Sequence, residues 1–139
     1  MDIGRLKKRM DKIPRILILE DCKTDADLME FELQDAEISF ILKRVVKEEH
    51  FVQALKKCSP NLILSDYDLP QYNGSLALAE AKSHCPETPF ILVTGAINET
   101  LAKEIISQGA NDFVMKSQLH KLAPAVKRAL NIAVPDLEE

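Results

Sequence analysis

The sequence lacks the usual features of a membrane or secreted protein. No apolar run in its 139 residues approaches the roughly 20 residues that a membrane-spanning helix requires, so we expect no membrane insertion. Residues 1–14 have no apolar core, so we expect no secretory signal. Cys22, Cys58 and Cys85 form an odd set without paired spacing, which indicates neither a disulfide framework nor a zinc site. We therefore predict a reducing, cytoplasmic compartment.

An overall excess of basic charge is also lacking. The net charge is −4, and residues 1–14 carry five basic and two acidic side chains, so this segment is +3 and the rest of the chain is −7. An acidic body argues against direct nucleic-acid binding, which favours a basic face. We predict a basic N-terminal tail over residues 1–14, one domain over 15–134 and a C-terminal tail over 135–139.

Short apolar runs alternate with stretches of helical periodicity along the chain. Runs of this length, rich in Ile, Leu and Val, are typical of strands buried on both faces. They cover residues 15–19, 40–46, 61–65, 90–94 and 112–116. The alternation predicts an α/β fold, a doubly wound five-stranded parallel sheet with helices on both faces. Functional residues of such sheets collect at the carboxyl ends of the strands.

The helical stretches carry signals for their own ends. Thr24 and Asp27 resemble a capping box that opens a helix ending at Ala36. Asn98 predicts the start of a later helix, and Gly109 predicts its end. Two further helical stretches cover residues 51–58 and 75–85.

Pro124 lies inside the last helical stretch, where it would clash with the carbonyl group four residues earlier unless it occupied the first turn. We therefore predict a short turn over residues 118–122. The main helix should then run over residues 123–133.

Polar and charged residues follow four of the five predicted strands. They are Glu20 and Asp21 after the first strand, Asp66 and Asp68 after the third, Thr94 at the end of the fourth, and Lys116 at the end of the fifth. Two carboxylates about 4 Å apart repel by roughly 4 kcal/mol at an effective dielectric of about 20. Such a cluster predicts a bound cation or protonated members. Carboxylate ligands without His or Cys favour Mg²⁺ over Zn²⁺.

Two of these residues predict that the site receives an anion. Lys116 supplies a positive charge for an anionic oxygen, and Thr94 supplies a hydrogen bond. A phosphoryl group has oxygens of this kind, and a carboxylate can act as its nucleophile. The pattern therefore predicts a site that receives a phosphoryl group on Asp66.

The sequence over residues 15–134 resembles the receiver domains of two-component response regulators, the CheY-like family. The stretch DYDLPQYNG, which begins at Asp66, resembles the family's D-x-x-[LM]-P-x-x-x-G loop around the phosphoacceptor. The other matches are Glu20 and Asp21 at the acidic pair, Thr94 at the hydroxyl position, Lys116 at the lysine and Phe113 at the switch aromatic. The resemblance implies a flavodoxin-like (βα)5 fold with strand order 2-1-3-4-5.

The resemblance also implies a role for each matched residue. Glu20, Asp21, Asp66 and the backbone carbonyl of Asp68 would bind Mg²⁺. A sensor histidine kinase or phosphotransfer protein would phosphorylate Asp66, and Thr94 and Lys116 would hold the phosphoryl group. Phe113 would turn inward as Thr94 moves, which would reshape the face made by the fourth helix, fifth strand and fifth helix for a downstream target or output domain.

The resemblance further implies a signalling module, not an enzyme, that assists its own phosphorylation and dephosphorylation. It allows a phosphorylation-dependent dimer. Glu20 replaces the commoner aspartate, and its longer side chain would let it act through water. Ser117 replaces the family's usual proline, which leaves the isomer of the Lys116–Ser117 bond open. We expect Phe113 to lie in the core at rest.

Two alternatives remain open from the sequence. The letters DYD at Asp66 mimic the nucleophile pair of haloacid-dehalogenase-like phosphatases, although that family carries its nucleophile on the first strand. The second alternative is a phosphate-independent interaction module of the same fold.

Overall fold

A computed structural model describes residues 13–95 and 98–132, apart from the side chain of Cys58. A five-stranded parallel sheet forms the centre of this part of the chain. Its strands are β1 (Arg15–Leu19), β2 (Ile41–Val45), β3 (Leu62–Ser65), β4 (Phe90–Thr94) and β5 (Asp112–Met115). Their order across the sheet is β2-β1-β3-β4-β5, which confirms the predicted topology.

Helices cover both faces of the sheet. They are α1 (Lys23–Asp35), α2 (Glu48–Cys58), α3 (Gly74–His84), α4 (Glu99–Ser107) and α5 (Leu122–Ala129), and a 3-10 helix (Lys116–Lys121) precedes α5. An antiparallel hairpin of two short strands, Asp68–Leu69 and Tyr72–Asn73, joins β3 to α3 and was not predicted. Among the described residues, none of these helices combines the length and apolar character that a membrane span requires.

The core is divided between the two faces of the sheet because side chains alternate along each strand. On β1, Ile16 and Ile18 belong to the cluster that includes α1 and α5, whereas Leu17 and Leu19 belong to the cluster that includes α2, α3 and α4. All four side chains are buried. Full burial of such a side chain contributes about 1.5–3 kcal/mol, so the sheet is a stable platform for residues at its carboxyl edge.

The outer strands are more exposed than the sequence predicted. Every residue of β3 and β4 is buried, but Val45 is the one buried residue of β2 and Val114 the one buried residue of β5. Ile41 of β2 is 54% exposed. The prediction of burial on both faces is wrong for β2 and β5 because they form the two edges of the sheet, where the helix layers give incomplete cover.

The helix ends confirm one predicted cap and correct another. Asn98 Oδ1 accepts the Leu101 N–H at 2.7 Å at the start of α4, as predicted. Gly109 follows that helix with φ 117°, a conformation that favours glycine. The predicted capping box is wrong, because α1 begins at Lys23 after Cys22, which makes no side-chain cap. Asp27 instead accepts a hydrogen bond from Lys23 Nζ at 2.9 Å.

The last helix is shorter than predicted. Pro124 lies in the first turn of α5, as its chemistry requires, and the preceding turn is the 3-10 helix. The predicted end at residue 133, which lies outside the described residues, is wrong because α5 ends at Ala129. Asn131 adopts φ 57°, and the Ile132 N–H donates to the Lys127 carbonyl at 2.9 Å. This pattern ends a helix without a glycine.

Candidate functional site

The carboxyl ends of β1 and β3 bring three of the predicted acids together. The Asp66 N–H donates to the Leu19 carbonyl at 3.0 Å, which places Asp66 beside Glu20. Carboxylate oxygens of Glu20, Asp21 and Asp66 all lie within 4.8 Å of one another. Glu20 and Asp66 are buried and Asp21 is exposed. We call these three residues the acidic cluster, and it could hold a metal ion.

Lys116 lies beside the acidic cluster and contacts three carboxylates. Its Nζ lies 2.8 Å from Glu20 Oε1, 3.0 Å from Asp66 Oδ2 and 2.7 Å from Asp25 Oδ2. The first two contacts join residues that the sequence placed at one edge of the sheet. The third was not predicted. The incorrect capping box obscured this contact with Asp25. Because α1 begins at Lys23, Asp25 lies in its first turn, beside the carboxyl edge of the sheet.

The pKa values of Lys116 and Glu20 are both raised, but for different reasons. Burial acts to lower the pKa of Lys116, but its hydrogen bonds with Asp25 and Asp66 and its ion pair with Glu20 outweigh burial and hold that pKa above its usual range. Burial raises the pKa of Glu20 to about 7, while Lys116 and the Cys22 N–H lower it and Asp66 raises it. Lys116 is therefore a fixed positive charge, and Glu20 takes up a proton near neutral pH when no cation is bound.

The hydrogen bonds of Glu20 test whether a cation fits the acidic cluster. Oε2 accepts the Cys22 N–H at 3.1 Å. Oε1 is buried and has no correctly angled donor, although it lies at ion-pair distance from Lys116. A buried oxygen without a hydrogen bond costs about 1–3 kcal/mol. A hard cation would offset that cost, and carboxylate oxygens are the ligands it prefers. The residues present therefore fit a divalent metal ion.

The remaining predicted site residues occupy the same edge of the sheet or its margins. Thr94 is buried at the end of β4 and lies in register with Met115, next to Lys116. The side chain of Asp68 is exposed in the hairpin. Phe113 is 37% exposed, so the expectation that it lies in the core at rest is wrong. Its strand is an edge strand, where cover by the helices is incomplete. The Lys116–Ser117 peptide bond is trans.

The hairpin after Asp66 is closed by Gly74. The Gly74 N–H donates to the Tyr67 carbonyl at 2.8 Å. A Cβ at this position would lie 2.9 Å from Leu92 Cδ1 and 3.1 Å from Tyr67 Cα. Glycine is therefore required here for close packing against the residue that follows Asp66. The same residue orients the acid, because the Tyr67 N–H donates to Asp66 Oδ1 at 2.7 Å.

A comparison with known families decides the assignment. A family model described as the response regulator receiver domain matches residues 16–127. The chain belongs to this family. The receiver domain is accordingly a phosphoacceptor signalling module of the two-component kind, and such modules act with kinases and output domains. This assignment does not favour the phosphatase alternative.

Individual relatives agree with the family match. The receiver domain is 28% identical over 121 residues to the chemotaxis protein CheY of Bacillus subtilis (strain 168), a match that covers 84% of this chain and 98% of the relative. The signal receiver domain of a putative LuxO repressor protein from Vibrio parahaemolyticus has TM-score 0.77 and 27% identity, covering 86% of this chain and 91% of that chain. The Mn²⁺-bound form of response regulator Rcp1 has TM-score 0.70 and 25% identity, covering 88% and 99%.

Proposed function

We propose that the receiver domain accepts a phosphoryl group on Asp66 with Mg²⁺ bound by the acidic cluster and the backbone carbonyl of Asp68. The observation that carries this proposal is the environment of the Asp66 carboxylate. One oxygen accepts the Tyr67 N–H, the other contacts Lys116 Nζ, and the Glu20 and Asp21 carboxylates lie within 4.8 Å. A strand-end acid that served as a helix cap would not need a partly buried lysine beside it.

The chemistry is a transfer between two nucleophiles. A carboxylate oxygen of Asp66 forms a bond to phosphorus, and the bond from phosphorus to the donor's nitrogen breaks, so that the aspartate becomes an acyl phosphate and the donor leaves with its electron pair. Lys116 and Thr94 hold oxygens of the transferred group. Mg²⁺, when bound, offsets the negative charge of the phosphoryl oxygens.

A small phosphodonor tests the assignment of Asp66 directly. Acetyl phosphate with Mg²⁺ should add one phosphoryl group to the wild-type domain, and Asp66→Asn should abolish the addition, because an amide cannot form the acyl phosphate. Intact mass measures both. Asp68→Asn is the matched control, since it changes an acid two residues away while keeping the backbone carbonyl. Unchanged addition in Asp66→Asn would exclude this residue as the acceptor.

We further propose that phosphorylation alters the surface formed by α4, β5 and α5, through Thr94 and Phe113. Phe113 is partly exposed on β5, and Thr94 lies in register with the same strand, so a movement of one can be passed to the other. This surface is the one we assign to a downstream target or output domain. A dimer that forms on phosphorylation would use it as well.

Beryllofluoride, a phosphoryl mimic, tests this surface. Its addition with Mg²⁺ should change hydrogen exchange over residues 98–132 more than over residues 23–58, because the mimic contacts Thr94 and Lys116 at the carboxyl ends of β4 and β5. Asp66→Asn treated in the same way is the control. An equal change in both regions would contradict the proposal.

The remaining assignments concern the context of the domain. We propose a sensor histidine kinase or phosphotransfer protein as donor and a signalling role without catalysis on other substrates. The tails at residues 1–14 and 135–139 stay predictions, since residues 1–12 and 133–139 lie outside the described part of the chain. A cytoplasmic location also stays a prediction. It rests on the unpaired cysteines, of which Cys22 and Cys85 are free thiols.

A further inference from the structure

Asp25 differs from the other two carboxylates that contact Lys116. Glu20 and Asp66 belong to the acidic cluster, whereas Asp25 does not. Its contact with Lys116 Nζ is nevertheless the shortest of the three, at 2.7 Å, and it is a directed hydrogen bond. Lys116 is thus shared between a possible cation site and an acid outside it.

The start of α1 explains why the Asp25 carboxylate is available for this contact. Asp25 is the third residue of α1, a position from which an acidic side chain commonly turns back to the N–H of the N-cap residue. That N–H, on Cys22, already donates to Glu20 Oε2 at 3.1 Å. The Asp25 carboxylate is therefore released from capping, and the helix N-terminus still favours its negative charge.

A bound cation would compete with Lys116 for two of its three carboxylate partners. It would take oxygens from Glu20 and Asp66, and it would repel the ammonium group that now contacts them. Lys116 has a long flexible side chain that needs a fixed partner to hold one position. Asp25 is the one contacting acid whose oxygen the cation does not need.

We propose that Asp25 is a positioning residue for Lys116, which keeps the ammonium group beside Asp66 when a divalent cation occupies the acidic cluster. This role rests on the proposed function, because it places Lys116 where an incoming phosphoryl group needs a positive charge. In this role, α1 contributes a residue to the site in addition to the residues at the strand ends.

The first test observes Lys116 directly, without phosphorylation. An ammonium group held in ion pairs exchanges its protons slowly enough to give a ¹H–¹⁵N signal at low temperature, and loss of the signal in Lys116→Arg assigns it. The wild-type signal should persist when Mg²⁺ is added to saturation. The signal of Asp25→Asn should be present without metal and vanish with Mg²⁺. Persistence of that signal, or absence of the wild-type signal, would overturn the proposal.

The second test measures the rate of phosphorylation by acetyl phosphate at saturating Mg²⁺. Asp25→Asn should lower the rate about tenfold, as expected for the loss of one charge-assisted hydrogen bond. Asp25→Glu keeps the charge and should recover most of the rate. Asp27→Asn is the matched control, because it removes the same charge from the same helix, and Asp27 pairs with exposed Lys23 and with no other cation of the described residues. An equal effect of both Asn substitutions would reduce the result to a general charge effect and overturn the proposal.

The two tests separate this proposal from the proposed function. If the wild type keeps its Lys116 signal with Mg²⁺ and Asp25→Asn loses it, Asp25 positions Lys116 even if acetyl phosphate adds nothing to Asp66. If the wild type is phosphorylated on Asp66 and Asp25→Asn matches it in both rate and signal, the proposed function stands and the role of Asp25 does not.

Discussion

Lys116→Met should lower the free energy of unfolding of the metal-free domain by about 3 kcal/mol at pH 8. The substitution leaves the carboxylates of Glu20, Asp25 and Asp66 without their shared cation, and removing one partner of a buried ion pair commonly costs about 3–5 kcal/mol. We expect the lower end of that range because Asp25 is partly exposed to water. Urea denaturation in the presence of a chelator measures the loss.

Mg²⁺ should then stabilise Lys116→Met more than the wild type at the same concentration. The variant has no ammonium group that competes for the oxygens of Glu20 and Asp66, so its dissociation constant for the cation should fall. A tenfold tighter constant corresponds to about 1.4 kcal/mol of additional stabilisation.

Lys103→Met is the matched control, because Lys103 pairs with Glu99 on the exposed surface of α4, where an ion pair contributes little. If the two substitutions destabilised the domain equally, or if Mg²⁺ stabilised the wild type and Lys116→Met equally, Lys116 would not act as the counter-charge of the acidic cluster.

The metal-free domain should lose stability as the pH rises through the titration of Glu20. Its pKa is about 7 in the folded protein, against an ordinary value of 4.5, so the folded state binds more protons than the unfolded state between these two values. The stabilisation from protonated Glu20 is fully present below pH 4.5 and is lost as the pH rises through 7. Linkage gives a loss of about 2.5 kcal/mol between about pH 5 and about pH 8.

Glu20→Gln isolates this effect, because the amide is similar in size and does not titrate. With a chelator present, the free energy of unfolding of the variant relative to the wild type should rise by about 2.5 kcal/mol over that pH range. All other ionisable residues are common to both proteins, so the difference between them reports on residue 20. A difference that stays constant with pH would show that burial does not perturb Glu20.

The sequence was sufficient to predict the strands of the central sheet and which residues would share its carboxyl edge, and the family resemblance implied the strand order. The strand signals were strong because the runs that became β1, β3 and β4 are apolar at nearly every position. The site followed from a simple rule, since residues after parallel strands share one edge of the sheet. Glu20 and Asp66 meet there because the Asp66 N–H pairs with the Leu19 carbonyl, which is ordinary sheet geometry.

The features that the sequence did not predict depend on where elements begin and on what covers them. Asp25 lies in the first turn of α1, beside Lys116, because α1 starts at Lys23, two residues earlier than the capping pattern indicated. Phe113 is apolar, and an apolar residue in a strand is usually buried, but β5 is an edge strand. Boundaries and edge exposure arise from the packing of distant segments, which local periodicity does not encode.

Lys116 also changes the expected energetics of the acids. Repulsion alone would make Asp66→Asn a stabilising change in the metal-free domain. The Asp66–Lys116 contact at 3.0 Å offsets that repulsion, so the gain from removing the charge is opposed by the loss of an ion pair. Glu20, Asp25 and Asp66 are therefore better described as three acids around a shared lysine than as a set of uncompensated charges.

The ion pair between Lys116 and Asp25 joins residues 91 positions apart, and the pair with Asp66 spans 50. A chain emerging from the ribosome therefore presents all the acids of the site before it presents the lysine. Until β5 docks at the edge of the sheet, β1 and β3 must associate against the repulsion of their own carboxyl ends. Contacts of such long range form slowly. Docking of β5 therefore completes the sheet, and it also brings in Lys116, whose positive charge offsets the repulsion between the carboxyl ends of β1 and β3.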